Sequence, residues 1–351
     1  MKIALIAGAR PNFMKVAPLC HELKKQNLKY FLVNTGQHFS MNMSKNFFDE
    51  FDIQPDYSFS PSCDSVTKQF SDISNSLEEV FVKETPSLVI VFGDVNSTLA
   101  AGLVANKMKI QLAHVEAGLR SYNRLMPEET NRVLVDHMAD VLLVTSEDGV
   151  DNLKKEGITE NVFFIGNIMI DTLKSFLPFI KTTKEIFYFT TIHRAENIDD
   201  KKTFNEILDA LEEISKDAPI FLPLHPRTKK MSIEFGIFPR LEKIFHLVEP
   251  LSYTESLYYQ KNAKLILTDS GGVQEESSYL GTPCITLRTE TERPVTVSRG
   301  TNIIGGVTKR DILSAYKRVD FMKKDIKIPL WDGKTSERIV QVIKNIHNVE
   351  Q

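Results

Sequence analysis

Short apolar runs alternate with amphipathic stretches along the whole chain, and a chain patterned this way buries its strands on both faces under helices. The runs Lys2 to Ala7, Tyr30 to Asn34, Leu88 to Phe92, Gln111 to Val115, Val141 to Thr145 and Val162 to Ile165 predict one doubly wound parallel sheet. A second series, Phe187 to Thr191, Ile220 to Leu224, Phe245 to Val248, Leu265 to Thr268, Cys284 to Leu287 and Ile303 to Ile304, predicts another. Between them, Phe176 to Lys184 is the least periodic stretch and is expected to be the linker. The reading is therefore α/β, with one doubly wound domain over 1–175 and another over 185–334. A last segment, 335–351, has a Thr or Ser cap signal and apolar residues at helical spacing, Ile339, Val342, Ile343 and Ile346, so a surface-packed helix is expected there.

Composition narrows the function classes. The 351 residues, 42% hydrophobic, suffice for two cores. Their 43 basic and 46 acidic residues are well mixed, so no basic face invites nucleic acid and no polybasic block invites a membrane. Cys20, Cys63 and Cys284 are odd in number and form no CxxC pair, which argues against a disulfide framework or a zinc site. No run reaches the roughly 18 apolar residues of a membrane span, and the first residues make too short an apolar stretch for a signal segment; the cytoplasm is the expected compartment.

In open parallel sheets, ligands sit beyond the carboxyl ends of the strands, so two such sheets facing each other would make a cleft walled by strand-end loops. The chemistry-bearing motifs fall on those loops. Thr268-Asp-Ser-Gly-Gly runs from a strand into a helix start, where free N–H groups and the helix dipole attract phosphate. Ser270, Gly271 and Gly272 are the expected diphosphate contacts, glycine allowing close backbone approach, and Glu275 or Glu276, one turn in, would accept from ribose hydroxyls. After the first strand comes Gly8-Ala-Arg-Pro-Asn-Phe-Met-Lys15, which offers Arg10 and Lys15 as candidate substrate-binding cations at a helix start; G-x-G-x-x-G and the P-loop pattern are missing, which disfavours NAD or P-loop chemistry. Asp94, Glu116 and Glu128 lie on successive strand-end loops. Acids gathered there would press on one another and raise at least one pKa, which suits general acid and base work. In the second half, His193 is suited to stabilising a leaving phosphate, His225 either serves the ligand or shapes the turn before Pro226, and Arg293 either offers a further phosphate partner or simply pairs with Glu290 or Glu292. The histidines His38, His114, His193 and His225 are on four separate loops without metal-ligand spacing, so neither metal nor cofactor is expected.

In these motifs the chain resembles the UDP-N-acetylglucosamine 2-epimerase family, particularly its non-hydrolysing branch. GARPNFMKVAP, NTGQH, FGDVNSTLAA, AHVEAGLRS, MPEETNR, GNIMIDTL, IHRAEN, LPLHPR, DSGGVQEE and TERP match in order and spacing, nearly end to end. The resemblance implies two Rossmann-like domains in the GT-B arrangement, a homodimer, and a C-terminal helix crossing back onto the first domain. It implies a UDP-sugar substrate and epimerisation through loss of UDP to a 2-acetamidoglucal and its re-addition, in polysaccharide biosynthesis. Asp94, Glu116 and Glu128 would then shuttle the proton, His193 and Arg10 would support the leaving diphosphate, and Ser270, Gly271, Gly272 and Glu276 would contact diphosphate and ribose.

Relatives activated by a second UDP-N-acetylglucosamine carry Gln and Arg where this chain has Ser40 and, approximately, Cys63, so activation of that kind is not expected. The sugar stays open. TGQHFSMNMS, HRAENIDD, LPLHPRT and GTPCITLR resemble the branch acting on UDP-2,3-diacetamido-2,3-dideoxyglucuronate, whereas QEESSYLG and TERP resemble the N-acetylglucosamine branch. A GT-B glycosyltransferase would share the nucleotide pocket but has no need of three acids. The hydrolysing epimerases favour Gly-Ser-Arg-Ala-Glu-Tyr where this chain has Gly-Ala-Arg-Pro-Asn-Phe, and a non-catalytic sensor would have no use for Asp94, Glu116, Glu128 and His193 together.

Overall fold

The computed structural model describes residues 1–37, 48–62 and 64–349, with the side chains of Arg10, Asn348 and Val349 also outside the description. His38, Ser40 and Cys63 therefore lie outside the described residues. The chain divides into two compact units, Met1–Thr172 together with Pro329–Gln351, and Leu173–Ile328.

The first unit is built on seven parallel strands: β1 (Lys2–Ala7), β2 (Lys29–Asn34), β3 (Tyr57–Ser58), β4 (Leu88–Phe92), β5 (Gln111–Ala117), β6 (Val141–Val144) and β7 (Val162–Phe164). Their order is β3-β2-β1-β4-β5-β6-β7, so the winding reverses between β1 and β4. Six of the seven answer to the apolar runs of the sequence. The seventh, β3, is two residues at the edge, Tyr57 and Ser58 beside Val33 and Asn34, too short to leave a hydrophobic run. One face of the sheet is closed by Ala4, Ile6, Val33, Val89 and Val91 against Ile73, Leu77 and Phe81 of the helix Val66–Glu84 and the small residues Ala100, Ala101 and Ala105 of the helix Asn96–Lys107. Burying each large aliphatic side chain contributes roughly 1.5–3 kcal/mol, which fixes the central strands and so the positions of their ends.

The second unit has six parallel strands: β8 (Tyr188–Thr191), β9 (Ile220–Pro223), β10 (Phe245–Val248), β11 (Leu265–Thr268), β12 (Cys284–Thr286) and β13 (Asn302–Ile304). The order β10-β9-β8-β11-β12-β13 again reverses between the first strand of the series and the fourth. Its main core sets Leu222, Leu265, Leu267 and Ile285 against Phe204, Ile207, Leu208 and Leu211 of the helix Lys201–Ile214. Among the described residues no helix is long and apolar enough to cross a membrane.

The last helix, Thr335–Val349, packs within the first unit on the helix Arg10–Lys25, burying Ile339, Val340 and Ile343. Its first N–H groups are not satisfied by a local Ser or Thr, as the sequence led us to expect. Asp171, distant in sequence and buried, accepts from Thr335 N at 3.0 Å, Ser336 N at 2.7 Å and Ser336 Oγ at 2.8 Å. Burial raises the Asp171 carboxyl above its ordinary value, partly countered by these donors. Replacing Asp171 by Ala leaves buried donors without an acceptor, and should lower stability by about 2 kcal/mol, read as a shift in the urea midpoint at constant slope.

Candidate functional site

At the reversal point of the first unit, the chain leaving β1 is tied to the end of β4 by one side chain. Asn12 accepts from Gly8 N at 3.2 Å and Ala9 N at 3.1 Å, and donates to Phe92 O at 3.0 Å. Pro11 follows in the first turn of the helix Arg10–Lys25, where its missing N–H costs nothing. One turn on, buried Lys15 reaches across and pairs with Glu116. Arg10 opens this helix, at the place expected for it.

Glu116 is the most unusual residue of the unit. It lies in a bulge of β5 between Val115 and Ala117, with φ +76°. A non-glycine residue held there costs on the order of 1–3 kcal/mol, and persists only where its surroundings enforce it. One carboxylate oxygen pairs with Lys15, while Oε1 is buried with no hydrogen-bond partner among the described residues. Gly93 at the end of β4 makes room for this group: its φ is +64°, and a Cβ there would stand 3.2 Å from both Glu116 Oε2 and Lys15 Nζ. Asp94, the next residue, is partly exposed and is gripped by Arg132, whose Nε donates to it at 3.2 Å. Asn131 donates to its carbonyl at 2.8 Å.

These contacts bring Asp94 and Glu116 to adjacent strand ends, and Arg132 and Asn131 tie the helix Pro127–Met138 to the same place. Glu128 lies half-exposed in the first turn of that helix, and its side chain makes no hydrogen bond among the described residues. Its neighbour Glu129 turns inward instead, accepting from Ser121 N at 2.9 Å, Tyr122 N at 2.7 Å and Arg132 Nη1 at 2.7 Å. The mutual repulsion of acids expected from the sequence gives way to a different arrangement, because Asp94 and Glu116 each meet a cation of their own, Arg132 and Lys15.

In the second unit the reversal point lies between β8 and β11, and fully buried Asp269 occupies it. Its Oδ2 accepts from His193 N and Arg194 N, both at 2.9 Å, and from Asn197 Nδ2 at 3.1 Å. Its Oδ1 stands 3.0 Å from His193 Nδ1. Burial alone would raise the Asp269 carboxyl, but the attraction of His193 and the convergent N–H groups outweigh it and hold the group below its ordinary value. The His193 ring is thereby fixed by one nitrogen, with its side chain 38% exposed. His225 stands beside it, ring centroids 5.5 Å apart, but accepts from Arg227 N at 3.2 Å as the cap of the helix Pro226–Glu234. It shapes the turn, one of the two roles the sequence left open.

The helix Gly271–Leu280 starts directly after β11 with Ser270 as its cap residue, and no side chain satisfies its first N–H groups. The glycine at 271 has a reason the sequence did not disclose. A Cβ there would collide with the guanidinium of Arg293, which lies over the helix start, paired with Glu292 and with Glu275 at 3.0 Å. Glu292 is shared with Arg288 at 2.8 Å, and Arg194 lies 3.6 Å away. Arg293 is thus built into a buried ionic cluster rather than held out as a lone cation. Gly272 is half-buried in the same turn, and Glu276 is buried, accepting from Gln260 Nε2 at 2.7 Å.

Residues the sequence reading passed over are the ones that orient the rest, Asn12, Arg132 and Asp269, whereas the pairing of Arg293 with Glu292 is one of the two the sequence offered. Asp269 had a signal, since an acid directly after a wholly apolar run cannot be buried without donors. Both reversal points therefore combine buried charge with an oriented polar group, and the second adds helix-start N–H groups that no side chain caps, a set suited to binding an anionic ligand and moving a proton.

A family model described as UDP-N-acetylglucosamine 2-epimerase matches residues 21–344. The chain belongs to the UDP-N-acetylglucosamine 2-epimerase family. It is 41% identical to the UDP-N-acetylglucosamine 2-epimerase of Methanocaldococcus jannaschii, over 98% of this chain and 99% of that protein. It is 37% identical to the UDP-2,3-diacetamido-2,3-dideoxy-D-glucuronate 2-epimerase of Pseudomonas aeruginosa, over 99% of this chain and 100% of that protein. Among solved structures it is similar to M. jannaschii UDP-GlcNAc 2-epimerase in complex with UDP-GlcNAc and UDP, with a TM-score of 0.92, covering 98% of this chain and 100% of that one.

For this epimerase-family protein, Asp269→Asn should lower turnover roughly 10²-fold, since an amide cannot accept from all of its present donors and hold the His193 ring as the carboxylate does. The same carboxylate sets an acid limit. Its pKa is depressed in the folded state, so its contribution to stability is complete above the unfolded carboxylate value and is lost as pH falls through the folded one. Acid titration of the melting temperature below about pH 4 should therefore be shallower in Asp269→Asn than in the parent chain.

Proposed function

We propose that the protein is a non-hydrolysing UDP-N-acetylglucosamine 2-epimerase, an isomerase interconverting UDP-GlcNAc and UDP-ManNAc. The observation that carries this reading is Glu116, a strained, buried carboxylate with one oxygen unpartnered among the described residues, in a chain that belongs to this family from end to end. By the resemblance of its motifs we further infer a cytoplasmic homodimer serving polysaccharide biosynthesis.

The proton on carbon 2 of the sugar has no neighbouring carbonyl to stabilise a carbanion, so removing it directly is prohibitively slow. Elimination avoids the carbanion. A carboxylate takes the carbon 2 proton, the C–H electrons form the bond between carbons 1 and 2, and UDP leaves carbon 1 with the electron pair of the C–O bond. The product is a 2-acetamidoglucal. Protonation of carbon 2 on the other face and return of a UDP oxygen to carbon 1 complete the epimerisation, with atoms and charge conserved.

Glu116 is suited to the first transfer, because Lys15 holds one of its oxygens and the other has no hydrogen-bond partner to give up among the described residues. Asp94 and Glu128 complete the set of acids assigned to proton traffic. His193, backed by Asp269, and Arg10 would stabilise the leaving diphosphate. Ser270, Gly271 and Gly272 would receive the diphosphate at the helix start and Glu276 the ribose, with Arg293 acting through its packing over Gly271. Lys15 and His225 act here by position, the first on Glu116 and the second beside His193.

In deuterated water, UDP-GlcNAc should acquire deuterium at carbon 2 while UDP-ManNAc accumulates, followed by proton NMR. Release of free sugar and UDP as the main products would contradict a non-hydrolysing enzyme, and turnover of only the diacetamidoglucuronate would reassign the sugar. Glu116→Gln should slow the exchange by roughly 10²–10⁴-fold while UDP affinity measured by calorimetry stays nearly constant. Survival of exchange in that variant would remove Glu116 from the mechanism.

A further inference from the structure

His114 is wholly buried, and both of its ring nitrogens meet acceptors. Nδ1 stands 2.6 Å from Asp136 Oδ1 and Nε2 stands 2.8 Å from the carbonyl oxygen of Gly93. A carbonyl has no hydrogen to give, and an ionised carboxylate has none either, so each nitrogen must supply its own. Asp136 is ionised in this setting: burial opposes its charge, but His114 and Arg120 outweigh that and hold the carboxyl below its ordinary value.

The ring sits at one end of a run of charged groups that reaches Glu156, beside which His137 Nδ1 stands at 3.9 Å. Asp136, from the helix Pro127–Met138, also accepts from Arg120 Nη1 at 2.7 Å. Arg120 makes two further bonds to Glu156, each of 2.7 Å. Imidazolium, carboxylate, guanidinium and carboxylate thus alternate along one chain. The Lys15–Glu116 pair stands two residues further along the strand from His114.

The position of this chain matters more than its charge. Asp136 takes hydrogens from His114 before Glu116 and from Gly118 N, at 3.0 Å, after it, so one carboxylate brackets the strained residue. The other ring nitrogen of His114 holds the carbonyl that precedes Asp94, and Gly93 N donates back to Val115 O at 3.0 Å. We infer that His114 is a doubly protonated positioning residue that, clamped by Asp136, sets the relative placement of Glu116 and Asp94 for proton transfer. This rests on the role proposed above for those two acids.

Nitrogen-15 NMR of the full-length, histidine-labelled protein reads the ring directly. Both His114 nitrogens should carry slowly exchanging hydrogens at neutral pH, and a ring with one bare nitrogen in the folded protein would overturn the inference. Turnover then separates positioning from bulk packing. His114→Gln and Asp136→Asn should each lower kcat for carbon 2 exchange by about tenfold or more, with KM and UDP affinity within about twofold, because displaced catalytic groups slow chemistry without releasing the nucleotide. A folded variant that keeps more than about half of the parent kcat would also overturn it. If neither variant folds, the NMR of the parent protein decides; if the parent has no epimerase activity, the proposed reaction fails while the spectrum still decides the state of His114.

Discussion

A buried carboxylate must be surrounded by donors, and this requirement organises both units. In the second unit Asp269 collects the N–H groups of His193 and Arg194 and the amide of Asn197. In the first, Asp136 collects His114, Gly118 and Arg120. Leaving such a charge without donors would cost several kcal/mol, so each aspartate fixes the backbone that brings them. The groups proposed to meet a ligand are thereby positioned by groups that do not.

The two units carry their candidate site groups at equivalent points of the fold, beside the place where the strand order reverses. The first unit places there a carboxylate, Glu116, in an enforced backbone conformation beside Gly93. The second places there a histidine fixed by one nitrogen and a helix start whose glycine accommodates an arginine. One point is suited to proton transfer and the other to anion binding, which is the division that an elimination at a glycosyl diphosphate demands.

The strands were legible because parallel strands buried on both faces leave continuous apolar runs; only Tyr57–Ser58, an edge pair, left none. The positions of Asp94, Glu116 and His193 at strand ends followed from the same runs. Their partners did not follow, since Lys15 and Glu116, or Arg132 and Asp94, meet through the winding of the sheet and carry no local pattern. Glycines illustrate the limit well. Gly271 reads as a close approach to an anion, yet the space beside it is taken by Arg293 of a later loop. Asp171, capping a helix far along the chain, was equally invisible because its donors are tertiary neighbours.

The central claim is that the bond between carbon 1 and the UDP oxygen breaks and re-forms while UDP stays bound. Positional isotope exchange tests it most directly, with UDP-GlcNAc carrying oxygen-18 in the bridge between sugar and β-phosphorus. Cleavage frees that oxygen to rotate among the β-phosphoryl positions, so the label should move into non-bridging positions at a rate comparable to epimerisation. Epimerisation with the label retained wholly in the bridge would contradict the account.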